Sequence, residues 1–232
     1  MAGKRADTGK RPLLPYPDDM AEIFAFPAGT PAAMRPGDGA GAPQHPVRPR
    51  GVPDDVWAAV ESVRTMQRLD DVRYREIPVP STLADFGIGV ELESESSSQE
   101  AGPLRLATGW IMMLYAHEPR TGWDSNWRCV AFARLPLEAG ENDPLAPGMY
   151  WDGMCDYVEY AEPDTVSGTV TVTRNTAFGG LDEAPSSGCE MRVSWTPLDG
   201  TGPDGTMDAG AQVNSWAAFI RSTVRPEEDD CR

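Results

Sequence analysis

The sequence predicts an α+β domain in which a five-stranded, mainly antiparallel sheet is packed by helices. Two apolar runs, residues 104–117 and 127–135, flank a loop rich in turn-forming residues, which is typical of a long β-hairpin. Three other segments have the 3.6-residue apolar period of amphipathic helices. The chain has 232 residues, 40% of them hydrophobic, which is enough for one core and argues against a second.

The first helix is predicted at residues 52–69. Pro53 suits the first helical turn, where a missing N–H costs nothing, and Asp54 and Asp55 favour the positive end of the helix dipole. One face is then apolar, at Val56, Ala59, Val60, Val63 and Met66.

The strands follow from period-two alternation and from turn residues between them. The run at 104–117 is apolar on both faces, with Trp110 and Met112 on one side and Ile111 and Met113 on the other. We therefore expect it to be central and covered on both sides or nearly so. The predicted strands are 88–93, 104–117, 127–135, 167–175 and 188–196.

Two more helices complete the order helix, three strands, helix, two strands, helix. One is expected at residues 148–161, with Trp151 and Met154 on its apolar face. The last begins at Asp208, a favourable N-cap, and aligns Val213, Trp216 and Ile220.

The chain divides into a single domain at 51–225, an extension at 1–50 and an acidic tail at 226–232. The extension has nine prolines and six glycines, so we expect it to be disordered. Within it, residues 17–26 could form a short apolar turn, either a docking motif for a partner or a sticky segment that folds back on its own domain.

The net charge and the spacing of the cysteines argue against several classes of protein function. Residues 1–50 hold seven basic and five acidic residues and so carry +2. Because the net charge of the chain is −16, the remaining residues carry −18. Such a domain repels phosphate, and we expect no direct binding to nucleic acid or to an anionic membrane. Without an 18-residue apolar run or a signal sequence, a cytoplasmic protein is expected. The four cysteines form no C-x-x-C pair, which favours reduced thiols and no metal or cofactor.

Five blocks of sequence follow one another along the predicted domain: residues 76–80, 122–124 with 128–130, 167–171, 178–180 and 194–197. Together they resemble the actinobacterial Domain of Unknown Function 3000 family (DUF3000). The resemblance covers about residues 52–225 and implies a domain boundary but no chemistry, since the family is uncharacterised. The element order is also similar, more weakly, to the type III secretion chaperone-like fold, which implies dimers that bind extended protein segments.

Catalytic patterns are sparse, and an enzyme is the less favoured class. His117 beside Glu118 is best interpreted as exposed at a strand end, with no nucleophile elbow in the chain. Asp152, Asp156 and Glu159 share one helix face, opposite to its apolar face. Helical spacing alone is a weak sign of a hard-cation site, so we predict no catalytic residue and no metal.

The loop between the two hairpin strands holds the candidate binding residues Gly122, Trp123, Asp124, Trp127 and Arg128. Tryptophan and arginine are enriched at interface hot spots, so these residues could anchor a protein partner. The alternative, equally weighted, is a loop that tucks an indole onto the neighbouring sheet.

The favoured function is a non-catalytic protein-binding or chaperone/adaptor-like domain that uses a sheet face or the hairpin end. Its partner would be an unknown protein, and a homodimer is one arrangement. The alternative is a small-molecule binder or enzyme with a pocket between the sheet and the 148–161 helix, lined by Asp152, Asp156, Arg128 or His117. A weaker alternative is an accessory protein of an RNA-processing enzyme, in which the acidic surface binds a basic enzyme.

Overall fold

A computed structural model describes residues 48–95, 106–137, 144–178, 186–202 and 205–224. The predictions for residues 1–47 and 226–232 lie outside these ranges. No helix within them is both long and apolar enough to cross a membrane. The elements are α1 (Asp54–Thr65), β1 (Val72–Glu76), β2 (Phe86–Glu95), β3 (Leu106–Tyr115), β4 (Trp127–Leu137), α2 (Ala146–Cys155), β5 (Ser167–Asn175), β6 (Ser186–Trp195) and α3 (Ala209–Ser222).

The α+β class with three helices and an antiparallel sheet is confirmed, but the predicted count of five strands is wrong. The described part of the chain forms six, in the order β1-β2-β3-β4-β6-β5, with every neighbouring pair antiparallel. The missed strand is β1, a short edge strand whose five residues include three charged ones. Its arginines find partners only across the ladder, where Arg73 lies opposite Glu93, and single-sequence alternation does not show such a pairing.

One face of the sheet, here called the helix face, carries the main core. Helices α1 and α3 pack over it, and the side chains that point to them from β3 and β4, such as Ile111 and Ala131, are buried. Gly109 allows α3 to come close, since a Cβ there would lie 2.6 Å from Ile220 Cδ1. Trp195 and Trp216 meet across this interface with ring centroids 5.9 Å apart.

Gln212 is a buried polar residue of α3 that joins three parts of the domain. Its Oε1 accepts a hydrogen bond from Trp195 Nε1 at 2.8 Å, and its Nε2 donates to the Tyr160 carbonyl at 2.7 Å. The side chain is 1% exposed, so both bonds are made out of water. The start of α3 is fixed by the predicted N-cap, because Asp208 accepts from the Ala211 N–H at 3.0 Å.

Helix α2 ends at Cys155, six residues before the predicted end at 161. Beyond it the chain runs alongside the segment after β6: Glu162 N–H donates to the Thr196 carbonyl, and Leu198 N–H donates to the Tyr160 carbonyl, both at 2.8 Å. An isolated bridge between Ala161 and Pro197 accompanies these bonds. These hydrogen bonds between two distant segments replace helical ones. A 3.6-residue apolar period cannot reveal such a replacement.

The opposite side of the sheet, here called the outer face, has a small second core at one end. The segment that links β1 to β2 folds over it, so that Val79 and Ala84 pack on Leu114 and are buried with it. Gly87 and Gly89 provide the space that this segment occupies, since a Cβ at Gly87 would lie 2.6 Å from Val79 Cγ1. Met112 and Val130 pack partly buried against this small core. Trp110 and Phe132 have no such cover among the described residues and are partly exposed.

Candidate functional site

Trp127, one of the candidate binding residues, belongs to the main core. Its side chain is 4% exposed and meets the Tyr115 ring in a T-shaped contact with centroids 5.0 Å apart. The backbone N–H of Trp127 is taken by Ser125 Oγ at 3.1 Å, which ends the loop and starts β4. A partner could reach this indole only if the core opened.

Trp123 lies on the outer face and is partly buried. Its ring packs on the small core of Val79, Ala84 and Leu114, and the Arg120 guanidinium lies 5.6 Å from the ring centroid. Gly122 has a φ of +81°, which lets the turn present the indole towards the sheet. The loop therefore tucks Trp123 against the segment that covers Gly87.

The acidic candidates and His117 are dispersed. His117 is exposed, and its backbone N–H donates to the Asp85 carboxylate at 2.9 Å. Asp152, Asp156 and Glu159 are also exposed. In the described ranges no hydrogen bond or ion pair joins any two of these four side chains, and no group of His, Cys, Asp and Glu there could hold a metal ion.

Arg128 is the candidate residue with the most distinctive environment. Its guanidinium is partly buried on the outer face and donates to Ser194 Oγ at 2.8 Å and to Thr196 Oγ1 at 3.1 Å. The Thr165 carbonyl accepts a longer bond at 3.5 Å. Burial lowers the pKa of Arg128 from its ordinary value, and the negative charge of Asp124 opposes that shift. The guanidinium keeps its charge, since arginine is not deprotonated in folded proteins.

The neutral partners of Arg128 contrast with those of the other arginines on the outer face. Arg73 pairs with Glu93 at 2.7 Å, Arg75 pairs with Glu91, and Arg134 and Arg192 share Glu190 at 2.8 and 3.0 Å. Arg128 has no carboxylate within ion-pair distance in the part of the chain that the structure describes. A guanidinium held by hydroxyls retains charge that an incoming carboxylate can neutralise.

An aromatic pair lies at the centre of the open outer face, on the same side of β4 as Arg128. Trp110 and Phe132 are cross-strand neighbours whose rings stack with centroids 5.9 Å apart. The Arg192 guanidinium lies 5.4 Å from the Phe132 centroid. On the other side, Glu91 of β2 is the cross-strand neighbour of Trp110. The aromatic pair therefore has a charged side chain on each side.

Sequence reasoning assigned Trp110 to packing and did not include Phe132 among the candidates. The signal was in the alternation of β4, where Phe132 shares a side with Arg128 and Arg134. An arginine at each end of one strand face indicates that this face is exposed to solvent. An aromatic residue between them is then a candidate for contact.

The concave sites of the described structure include two that contain candidate residues. A small pocket of about 330 Å³ beside Arg128 is lined by Asp124, Glu162 and Asp199 together with Thr165 and Thr196. A larger cleft of about 940 Å³ lies on the side of the helices that is away from the sheet; the residues that line it come from α1, α3 and the connections after α2 and before α3, and include Trp57, Glu61, Tyr157, Glu159, Tyr160 and Asp208. The cleft contains none of the residues expected to line a pocket between the sheet and the 148–161 helix, and of the predicted acidic helix face it contains only Glu159.

The described cysteines are free thiols. Cys129 and Cys189 are buried on the helix face and Cys155 is exposed at the end of α2. Burial raises the pKa of all three, and nearby Asp152 and Asp156 raise that of Cys155 further. At neutral pH these groups are thiols and not thiolates, the form required of a nucleophile.

The comparisons with known proteins identify a family. The model of the family described as "Protein of unknown function (DUF3000)" matches residues 52–226, which confirms the resemblance drawn from the five sequence blocks. Neither a curated protein nor a solved structure matches the chain. The similarity to the type III secretion chaperone-like fold therefore stays a prediction.

Proposed function

Since the chain belongs to the DUF3000 family, whose name gives no activity, we propose from its surface that it is a protein-binding domain of the adaptor type. The contact surface is the open outer face, from Arg128 along β4 to Phe132, with Trp110 beside it. The partner is a protein segment that presents apolar side chains next to a carboxylate. The unpaired charge of Arg128 beside the stacked aromatic pair carries the proposal.

The aromatic centre supports an apolar contact. Tryptophan, tyrosine and arginine are the residues that most often dominate the free energy of an interface, and they do so where surrounding contacts exclude water. Here the Trp110–Phe132 stack lies between the Glu91 side and the Arg192 side of the sheet. The arrangement of an apolar centre and a charged rim is that of many protein interfaces.

The position of Arg128 supports a carboxylate in the partner. Val130 and Phe132 follow Arg128 by two and four positions on the same strand face, so the distances along β4 are about 7 and 14 Å. A carboxylate bound at Arg128 would therefore be flanked by apolar contacts within one short peptide segment. The hydroxyls of Ser194 and Thr196 fix the guanidinium in place, which reduces the entropy lost on binding.

The rest of the outer face favours selectivity over net attraction. With Arg128 included, the described strands place five arginines and four glutamates on this face, which nearly balance, whereas the whole chain carries −16. A partner that is itself acidic can approach this surface with less repulsion than elsewhere on the domain. The paired charges of the rim remain hydrated and discriminate against partners of the wrong pattern.

The test compares full-length wild type with Arg128→Gln and Trp110→Ala, each used to capture proteins from the lysate of its own cell with quantitative mass spectrometry. One and the same protein should be captured by wild type and be missing from the capture by both variants. With that protein purified, Arg128→Gln should weaken the Kd at least about 30-fold, the effect of leaving a desolvated charge without its partner. Titration calorimetry measures it.

Arg134→Gln is the matched control. It removes the same charge from the same strand face, but its side chain is exposed and already paired with Glu190, so the Kd should change less than about fivefold. If all three variants keep the captured proteins and their affinities, the outer face is not the contact surface. Thermal unfolding of each variant separates a lost contact from a lost fold.

A second candidate, a small-molecule-binding protein, is favoured by one observation, the cleft between α1 and α3. Its volume of about 940 Å³ lies at the upper end of the range for ligand pockets, and Trp57, Tyr157 and Tyr160 line it. Such a ligand would raise the unfolding temperature of wild type, and Trp57→Ala would abolish that increase.

A further inference from the structure

The geometry points to an intramolecular ligand: the cleft between α1 and α3 binds residues 4–16 of this chain's own N-terminal segment. The site lies on the side of the helices away from the sheet. It is independent of the proposed contact surface, so either assignment can fail without the other.

The cleft combines aromatic walls with carboxylates. Trp57 of α1 and Tyr157 and Tyr160 after α2 supply ring surface, and four acids line the opening against one arginine. Arg64 and Arg48 pair with two of these acids, Glu61 and Asp54. In the described ranges Glu159 and Asp208 have no ion-pair partner. The chemistry suits a peptide that carries both cationic and apolar side chains.

The described chain begins at the edge of this same cleft. Arg48 lines it, donates to the Val52 carbonyl at 2.9 Å and pairs with Asp54 at the start of α1. The 47 residues that precede Arg48 are therefore tethered at the mouth of the cleft. Any part of them that complements it competes with an external ligand at a local concentration in the millimolar range.

Residues 4–16 complement the cleft by charge and by shape. They contain Lys4, Arg5, Lys10 and Arg11 against the single acid Asp7, and end in Pro12-Leu13-Leu14-Pro15-Tyr16. Each proline fixes its own φ, which lowers the entropy lost when the peptide is ordered. Proline-containing segments bind aromatic-lined grooves in this way.

The other apolar part of the extension, residues 17–26, carries Asp18, Asp19 and Glu22 and no base. Its charge of −3 repels the acids of the cleft, although its apolar residues Ile23 and Phe24 would otherwise fit. Charge therefore selects residues 4–16 over residues 17–26. This contrast supplies the control for the experiment.

The tether is long enough. Residues 17–47 separate the proposed ligand from Arg48, and a chain of that length can span at most about 100 Å. Helix α1, with twelve residues, is about 18 Å long. The number of residues is therefore enough for the proposed ligand to reach any point of the cleft.

The test uses the full chain labelled with ¹⁵N, in wild type and in a Leu13→Asp/Leu14→Asp variant. The readouts are the Trp57 indole N–H signal, assigned with Trp57→Phe, and the backbone amides of Gly210 and Asn214 in α3. These signals should shift in the variant. A synthetic peptide of residues 4–16, added to the variant, should return them saturably to the wild-type positions.

The matched control is Ile23→Asp/Phe24→Asp, which makes the same change in residues 17–26 and should leave the three signals in place. The inference is overturned if neither variant moves them or if only the control variant does. It is also overturned if the wild-type positions change with protein concentration while sedimentation shows a dimer, since a second copy then fills the cleft.

Discussion

At the scale of single residues, the loop between β3 and β4 contains two tryptophans that are only four positions apart and yet pack in different cores. Trp123 and Trp127 were grouped as one binding feature because both flank a turn. Trp127 enters the main core on the helix face, whereas Trp123 covers the small core on the outer face. The loop decides this: Trp127 is the first residue of β4, whereas Trp123 lies before the strand, in a turn where the positive φ of Gly122 directs the chain.

The two tryptophans should therefore differ in their contribution to stability. Trp127→Ala leaves a large cavity in a packed core and should lower the free energy of unfolding by about 3–5 kcal/mol. Trp123→Ala removes a side chain that buries roughly 100 Å² and should cost about 2 kcal/mol. Urea denaturation of the two variants measures both. An equal loss at the two positions would contradict the separation into two cores.

Arg128 illustrates what sequence can and cannot supply at this scale. Its residue type and its place beside the loop were enough to select it as a candidate. The hydroxyls that hold it come from residues 66 and 68 positions later in the chain. No local pattern links these positions, so the absence of a carboxylate partner emerged only from the fold.

At the scale of elements, regular periodicity was a good guide and irregular connections were not. The strands β3 to β6 and the helix α3 with its Asp208 cap were predictable because their apolar residues repeat at the right spacing. The edge strand β1 and the early end of α2 depend on hydrogen bonds to distant residues. The position of the segment over Gly87 likewise depends on contacts with distant residues, such as that of Val79 with Leu114.

The fit of that segment against β2 should appear in a double-mutant cycle. Gly87→Ala brings a Cβ to 2.6 Å from Val79 Cγ1, and overpacking of this kind costs about 1–3 kcal/mol. Val79→Ala removes the opposing methyl groups and should itself cost about 1–2 kcal/mol. The double variant should lose less than the sum of the two, as measured by urea denaturation. Strict additivity would mean that the segment does not pack where the structure has it.

At the scale of the whole molecule, the sheet separates two kinds of surface. The outer face has nearly balanced charges and an aromatic centre, while the helix side has the acidic, aromatic cleft between α1 and α3. The apolar pattern predicted a central β3 covered on both sides or nearly so, whereas among the described residues Trp110 and Met112 are only partly buried on the outer face. The reason is that an apolar residue in a strand reads the same whether it is buried or exposed for contact.

The charge of the domain leads to a prediction about salt. Residues 51–232 carry −18, and such an excess of like charge destabilises the compact state through self-repulsion. Raising NaCl from about 0.01 to 0.15 M shortens the screening length from about 30 to 8 Å. The ion pairs of the outer face span under 4 Å and are exposed, so their loss on screening is small. Repulsion over longer distances is screened more.

The unfolding temperature should therefore rise with NaCl, by several degrees for a gain of about 1–2 kcal/mol in a domain of this size. Differential scanning calorimetry at constant pH measures it. A variant with Glu159→Gln and Asp156→Gln, two exposed acids without ion-pair partners in the described ranges, should start from a higher temperature at low salt and gain less. A fall in the wild-type temperature with salt would instead mean that the Arg–Glu pairs of the outer face outweigh the repulsion among the remaining acids.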